Sequence, residues 1–196
     1  MTASGHRLPP QCLKEACSYT ARGGNLKMLE WLHNTGCPWD AKATCEAARG
    51  GHLEVVKWLH NHGCPWNSMA WDTCAAAAAG GHLAVLQWAR EHGAPWDTST
   101  CRGAAMNGHL AVLRWARAHD CPWSFHTCKY AAEEGQLEVL QWVRENDATG
   151  EIWGENRVLY YAAGPREQEV LTWLDQVNGP LGWGIPAEEF LFGSDS

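Results

Sequence analysis

The apolar positions recur along the chain as pairs of short stretches separated by a glycine. In residues 100–123 the first stretch, TCRGAAM, is rich in small side chains, and the second, LAVLRWA, carries larger apolar ones. The second stretch covers a broad arc of a helix, which predicts a helix contacted by neighbours on two sides. Gly108 and the Cys-Pro-Trp sequence at 121–123 predict the two helix ends, because glycine favours the left-handed C-terminal conformation and proline cannot continue a helix. Each unit is therefore predicted to be a helical hairpin.

Tryptophan marks this unit along the chain. One series lies in the second stretch, and the other follows eight residues later in the turn. The first series is Trp31, Trp58, Trp88, Trp115, Trp142 and Trp173, and the second is Trp39, Trp66, Trp96 and Trp123, continuing less regularly through Trp153 and Trp183. Of the 13 tryptophans, only Trp71 falls outside both series. Since one hairpin cannot bury its own apolar faces, the units are predicted to stack into a solenoid.

The repeats predict an all-α architecture of about six stacked helix-turn-helix units. The expected boundaries of the array at 15–183 are 15–40, 41–67, 68–97, 98–124, 125–154 and 155–183, of which the last is degenerate. Residues 1–14 are predicted to be an N-terminal capping segment, and residues 184–196 a C-terminal cap and tail.

Charge is distributed unevenly along the 196 residues, whose formal net charge is −7. Residues 124–196 hold 4 basic and 13 acidic side chains, whereas residues 1–66 hold 7 basic and 5 acidic ones. Phosphate binding needs a concentrated basic face, so no nucleic-acid partner is expected. Neither a membrane-length apolar run nor a secretory apolar region is visible. The sequence therefore predicts a cytoplasmic, monomeric protein in a reducing compartment, without a membrane partner.

Cysteines also recur at repeat positions. One series lies in the first stretch (Cys17, Cys45, Cys74, Cys101, Cys128) and another in the turn (Cys37, Cys64, Cys121), where Ala94 takes the fourth place. Equivalent cysteines of stacked repeats should lie about 10 Å apart, which is too far for a disulfide. No Cys-x-x-Cys pair marks a zinc site. Reduced, buried thiols are predicted, with no metal and no cofactor.

Histidines follow the repeat as well. His52, His82 and His109 come directly after the glycine between the two helices, where they can bond at a helix end. Catalysis needs a nucleophile, a base and an orienting group that occur together once in a cleft. Repeated histidines do not meet that condition, so no catalytic residue is assigned and the chain is not expected to be an enzyme.

The stretch GHLEVVKWL at 51–59, followed by GCPWN at 63–67, resembles the ankyrin repeat. Cys101 takes a leucine position of that family's first helix, and Ala104 and Ala105 take its paired alanines. Most steps here are 27 residues, against 33 in the family, and the missing residues fall where ankyrin repeats project a β-hairpin finger. The resemblance therefore implies a divergent, Trp-rich ankyrin-like solenoid with shortened or absent β-hairpin fingers, and a scaffold for protein recognition.

Partner-specific side chains are expected where the copies differ. The linker after Trp66 is longer than that after Trp96, and it carries Met69 and Trp71. Trp71 either anchors a partner or folds back over the next helix as a local cap. In the ankyrin family the two positions before Gly-His face the concave side, which implies the same for Met106 here. The candidate protein-binding residues are Tyr19, Arg49, Met69, Trp71, Arg102, Met106, Asn107, Phe125, His126 and Tyr130.

Three functional hypotheses follow. The first is a non-catalytic scaffold that binds a protein partner through the concave face and the inter-repeat linkers. The second is a structural spacer array within a larger protein, whose concave face would be no more apolar than the rest of its surface. The third, less favoured, is a thiol- or metal-binding protein, which zinc content and a thiol count would reveal.

Overall fold

In a computed structural model the chain forms consecutive helical hairpins. The structure describes residues 10–68, 71–147 and 168–178. Its helices are α1 (Pro10–Arg22), α2 (Leu26–Asn34), α3 (Ala41–Arg49), α4 (Leu53–Asn61), α5 (Thr73–Ala79), α6 (Leu83–Glu91), α7 (Thr98–Met106), α8 (Leu110–Ala118), α9 (Phe125–Glu133), α10 (Leu137–Asn146) and α11 (Gln168–Asn178). We call the odd-numbered helices α1–α9 first helices and α2–α10 second helices. The prediction of an all-α, ankyrin-like solenoid is confirmed.

First helices pack side by side along the array, α1 against α3, α3 against α5, α5 against α7 and α7 against α9. Small side chains make this contact close, since alanines such as Ala77 and Ala104 are fully buried in it. The second helices supply the larger core residues. One leucine per repeat is fully buried: Leu29, Leu59, Leu86, Leu113 and Leu140. The core is therefore a continuous layer between the two rows of helices.

The linker after Trp66 forms a short antiparallel hairpin, unlike the helix-to-helix turns elsewhere in the described chain. Its strands are β1 (Asn67–Ser68) and β2 (Trp71–Asp72), with Asn67 opposite Asp72. The Asn67 side chain accepts a hydrogen bond from the backbone N–H of Thr73, so the hairpin is fastened to the start of α5. This hairpin is a shortened finger, and it accounts for the extra residues of this linker.

The Gly-His sequence bonds each repeat to the one before it. Arg49 is the last residue of α3, and its carbonyl oxygen can only accept a hydrogen bond. The Nε2–H of His82 donates to this oxygen at 3.0 Å. His52 and His109 make the same bond to Arg22 O at 2.8 Å and to Ala79 O at 3.1 Å. Gln136 donates through Nε2 to Met106 O at 3.3 Å in the place of a fourth histidine. The predicted bond of these histidines at a helix end is confirmed, and it joins neighbouring repeats.

Polar side chains fix where several first helices begin. The carboxylate of Asp97 accepts from the backbone N–H of Ser99 at 2.7 Å, and Asp40 and Asp72 cap α3 and α5 in the same way. This bonding by Ser99 lowers the pKa of Asp97. Such caps satisfy N–H groups that have no partner within the helix.

We expect Asp97→Ala to lower the free energy of unfolding by about 1 kcal/mol at neutral pH, because the cap of α7 is lost. A carboxyl group with a lowered folded-state pKa stabilises the fold above its ordinary titration range, and that contribution disappears as the pH falls through the folded-state pKa. The wild type and Asp97→Ala should therefore converge in acid. Urea unfolding at neutral and acidic pH measures this, with Asp97→Asn as the control that keeps an uncharged cap. A constant difference at all pH values would contradict the prediction.

Candidate interaction surface

The side chains that vary between repeats come together on the exposed side of the first helices. We define the first-helix strip as Tyr19 of α1, Lys42 of α3, Arg102 and Met106 of α7, and Tyr130 of α9. The helices are built on buried alanine and cysteine, so these larger side chains are placed on their open side. Tyr19 is 66% exposed and Met106 is 38% exposed.

Tyr130 organises the C-terminal half of the strip. The guanidinium of Arg102, from the preceding repeat, lies 5.8 Å from the centre of its ring, and Lys129 Nζ lies 5.3 Å from it. The His126 ring stacks on Tyr130 with centroids 6.2 Å apart, and Phe125 follows at 5.9 Å from His126. Two repeats thus contribute to one aromatic and cationic group, in which four of the predicted residues meet.

The N-terminal half of the strip is more dispersed. Lys42 Nζ lies 6.0 Å from the centre of the Tyr19 ring, again across a repeat boundary. Arg22 and Glu46 pair at 3.7 Å between α1 and α3. Arg49 is exposed at the end of α3. This half presents separate side chains around Tyr19 and has no cluster like that at Tyr130.

The end of α7 completes the placement of the predicted residues. Asn107 is exposed next to Met106, and its side chain donates to Gly103 O at 2.9 Å, within its own helix turn. Met69 lies outside the described residues. The backbone of Trp71 lies in β2, while its side chain lies outside the described part of the chain, so both interpretations of Trp71 stay predictions. The same holds for the predicted cap at residues 184–196.

Two exposed apolar residues escaped the sequence reasoning. Met28 and Trp31 of α2 are 47% and 59% exposed. Of the equivalent tryptophans, Trp58, Trp88, Trp115 and Trp142 each contact the turn tryptophan of the preceding repeat, as Trp58 contacts Trp39. Trp31 lies in the first hairpin of the described chain, so it has no such cover there. Its place in a regular series hid this difference.

The tryptophans of the two series between positions 39 and 142 pack against each other along the second-helix side. Trp96, in one turn, meets Trp115 of the next repeat with centroids 5.9 Å apart, and Trp123 meets Trp142 at 6.0 Å. Arg90 lies 4.1 Å from the centre of Trp96, and His119 stacks on Trp115 at 4.2 Å. We call this row the tryptophan ladder. It accounts for the recurrence of tryptophan through packing between repeats.

In place of arginine, the first two repeats use histidine over the turn tryptophan. His33 stacks on Trp39 at 4.1 Å with nearly parallel rings, and His60 stacks on Trp66 at 4.5 Å. His62, His92 and His119 each donate from Nδ1 to the carbonyl of the tryptophan four residues earlier, at 2.8 Å. These five histidines therefore have structural roles, at the ends of second helices and in the tryptophan ladder.

The thiols are buried and poorly disposed to act as ligands. The eight cysteines whose side chains the structure describes form no disulfide, and each is buried. Burial raises the pKa of Cys45, Cys74 and Cys128 to about 12. No group of three or more metal-ligating side chains occurs within residues 10–68, 71–147 and 168–178. In those same ranges no helix has the length and apolar character needed to cross a membrane.

The stacked hairpins match a known architecture among solved structures. The ankyrin repeat domain of human ASB11 superimposes with a TM-score of 0.62 and 19% sequence identity, over 81% of this chain and 82% of that chain. The chain has the ankyrin-repeat fold. Neither a family model nor a curated protein sequence matches it.

The array has two exposed sides, one formed by the first helices and the other by the second helices. The first-helix strip lies on the former and the tryptophan ladder on the latter. These two sides differ in the kind of side chain exposed.

Proposed function

We propose that the protein is a non-catalytic interaction module that binds a protein partner through the first-helix strip. The observation that carries the proposal is the exposure of Tyr19 and Met106 on helices otherwise built from small residues. Aromatic residues, methionine and arginine are enriched at protein interfaces. The tryptophans of the ladder, by contrast, are largely engaged with neighbouring repeats.

The group around Tyr130 is the centre of the proposed surface. Arg102 and Lys129 hold cations beside the Tyr130 ring, at 5.8 and 5.3 Å from its centre. Met106, one helical turn after Arg102, adds a flexible apolar side chain that adapts to irregular partner surfaces. Glu133 pairs with Lys129 at 3.7 Å, and Glu134 is exposed beyond it. The cations beside Tyr130 are thus followed by the carboxylates of Glu133 and Glu134. A partner would be complementary if its apolar side chain were flanked by an acidic group facing the cations and a basic group facing the carboxylates.

Rigidity supports the same function. Each repeat is joined to the next by the buried core, the Gly-His bonds and the tryptophan ladder. A surface that is already ordered loses little conformational entropy on binding, which favours affinity. Binding through the linker after Trp66 is a further part of the proposal, with Met69 and Trp71 as its contact residues.

The double variant Met106→Ala with Tyr130→Ala should weaken partner binding by at least about tenfold, because truncating a central interface residue costs about 2 kcal/mol. The matched control is Met28→Ala with Trp31→Ala, which removes two exposed apolar side chains outside the strip. The wild-type chain captures partners from a native cell extract, and the Kd of the purified partner is then measured for both double variants. Far-UV circular dichroism and melting verify that each variant is folded.

Equal affinity of the wild type and the strip variant would show that the binding surface does not lie on α7 and α9. Loss of binding in the control alone would place the binding surface on α2. Absence of any partner for a folded wild-type chain would favour a spacer array over an interaction module. Trp71→Ala in the same assay separates an anchor, which lowers affinity, from a local cap, which lowers stability instead.

A further inference from the structure

A pair of thiols lies inside the first repeat. Cys17, in α1, and Cys37, in the turn after α2, have their sulfur atoms 2.7 Å apart. Both side chains are buried, since Cys17 is 0% exposed and Cys37 is 5% exposed. Sequence reasoning compared cysteines only between stacked repeats, so it did not consider this contact within one hairpin.

The same facing positions recur in the other repeats, with different residues. Eight residues before the N-cap of each second helix, the position of Cys17 is held by Thr44, Cys74, Cys101 and Cys128. Thr44 Oγ1 donates to Cys64 Sγ at 3.1 Å, and Cys74 Sγ lies 3.9 Å from Ala94 O. The thiols of Cys101 and Cys121 are hydrogen-bonded to each other, and Cys101 Sγ lies 3.9 Å from Cys121 O. Of the first four repeats, two therefore hold two facing thiols, and the other two hold a single thiol opposite Thr44 or Ala94.

We propose that Cys17–Cys37 and Cys101–Cys121 are oxidative modification sites, each of which closes to a disulfide within its repeat when the protein meets a peroxide. A sulfur–sulfur bond is about 2.05 Å long, so the Cys17–Cys37 pair closes by a movement of about 0.7 Å from its 2.7 Å contact. The 20-residue separation is common to both pairs.

The reaction balances in two steps. One thiolate attacks the peroxide, the O–O bond breaks, and the cysteine becomes a sulfenic acid while the other oxygen leaves as water after taking up a proton. The second thiol then attacks that sulfur, forms the S–S bond and releases a second water. Two thiols are oxidised and one hydrogen peroxide is reduced for each bridge.

The two thiols of each pair have different environments. In Cys101–Cys121, the hydrogen bond from Cys101 lowers the pKa of Cys121, and the nearby Arg117 acts in the same direction. Cys121 is therefore the attacking thiolate and Cys101 the resolving thiol. In the first repeat, burial raises the pKa of Cys17 to about 12. Cys37 is 5% exposed and Cys17 is fully buried, so peroxide reaches Cys37 first and Cys17 resolves it.

A bridge at either site would tie a first helix to the turn at the far end of its own hairpin. It closes a loop within one repeat, which restricts the unfolded chain and raises the melting temperature of the oxidised protein. This inference does not depend on the proposed function. It assigns the paired cysteines a chemistry that the buried single cysteines Cys74 and Cys128 lack.

The test treats the full-length, folded and reduced chain with hydrogen peroxide, blocks remaining thiols with an alkylating reagent, and measures the intact mass and a peptide map. We expect the loss of two hydrogen atoms per bridge, cross-linked peptides joining 17 to 37 and 101 to 121, reversal by dithiothreitol, and a higher melting temperature before reversal. The double variant Cys37→Ala with Cys121→Ala should form neither bridge. Alanine already occupies the equivalent place at Ala94, so this variant retains a residue that the fold accepts.

A wild-type chain that keeps all its thiols, or that adds oxygen to them without cross-linking, would overturn the proposal. Bridges between other cysteines of the folded chain would also overturn it, as would a mass loss that persists in the double variant. Because the peptide map of the wild type gives the result directly, a variant that failed to fold would not obscure it. The same treatment in urea is the positive control, since any thiols can then pair and be detected.

Discussion

Trp115→Ala is expected to lower the free energy of unfolding by about 2–3 kcal/mol, whereas Trp31→Ala should lower it by less than about 1 kcal/mol. The two residues occupy the same repeat position in α8 and α2. Trp115 is partly buried between the His119 ring, which stacks on it at 4.2 Å, and Trp96 of the preceding turn at 5.9 Å. Trp31 is 59% exposed. The difference between the two losses of unfolding free energy therefore measures how much the packing around Trp115 in the tryptophan ladder stabilises the fold.

Urea unfolding followed by far-UV circular dichroism gives both values without relying on tryptophan fluorescence. Trp96→Ala should resemble Trp115→Ala, and combining the two should cost less than the sum of the single effects, because both remove the same contact. Similar small losses for Trp115 and Trp31 would show that the ladder contributes little to stability. The repeated tryptophans would then need another explanation.

The fold was predictable because its determinants lie within one repeat and recur. Gly108-His109, the apolar arc of α8 and the turn at Trp123 identify a hairpin, and five concordant copies leave little alternative to stacking. The hairpin at 67–72 was signalled only by the length of its linker. Its Asn67 side chain bonds to the start of α5, a contact that no comparison between repeats contains.

The position of Cys45 in its helix differs from the one that the repeat motif suggests. The recurring Thr-Cys pair suggested that Cys45 is equivalent to Cys17 and Cys101. The structure places Thr44 at that position, opposite Cys64, and Cys45 one residue further, where its sulfur lies 3.7 Å from Thr73 Oγ1 of the next repeat. A shift of one residue turns a helical side chain by about 100°. The Thr-Cys pair is preserved at 44–45, but the Cys45 thiol points in a different direction from those of Cys17 and Cys101.

The candidate surface was only partly accessible from the sequence for a related reason. Arg102 and Tyr130 were each identified as departures from the repeat, but their meeting across α7 and α9 depends on how neighbouring repeats are offset. Lys129 was not identified, because a lysine on an exposed helix side carries no signal by itself. Met28 and Trp31 were missed since their exposure depends on what precedes them in space.

The glycines before the inter-helix histidines have positive φ values and lie close against a side chain of the next repeat. Gly81 and Gly93 both have positive φ values, 76° and 84°, at which an L-residue is strained. A Cβ at Gly81 would lie 2.7 Å from the ring of His109, whereas a Cβ at Gly93 would meet nothing within 4 Å. Asp120, with a φ of 62°, occupies the place of Gly93 in the next repeat, so that place admits a side chain.

We expect Gly93→Ala to lower the free energy of unfolding by about 1 kcal/mol, from backbone strain alone. Gly81→Ala should lower it by about 2–3 kcal/mol, because the added methyl group also displaces the His109 ring from its 3.1 Å bond to Ala79 O. Urea unfolding of both variants measures the difference.

Repeating the pair in a His109→Ala background isolates the cause. Without the imidazole ring, the methyl group at position 81 has no nearby ring to displace, and the two glycine substitutions should cost about the same. This cycle would yield a coupling energy between positions 81 and 109 of about 1–2 kcal/mol. If the excess cost of Gly81→Ala survived in that background, the strain would lie in the backbone of the turn. The bond between neighbouring repeats would then be a consequence of stacking, and the recurrence of the glycine–histidine pair would reflect the hairpin alone.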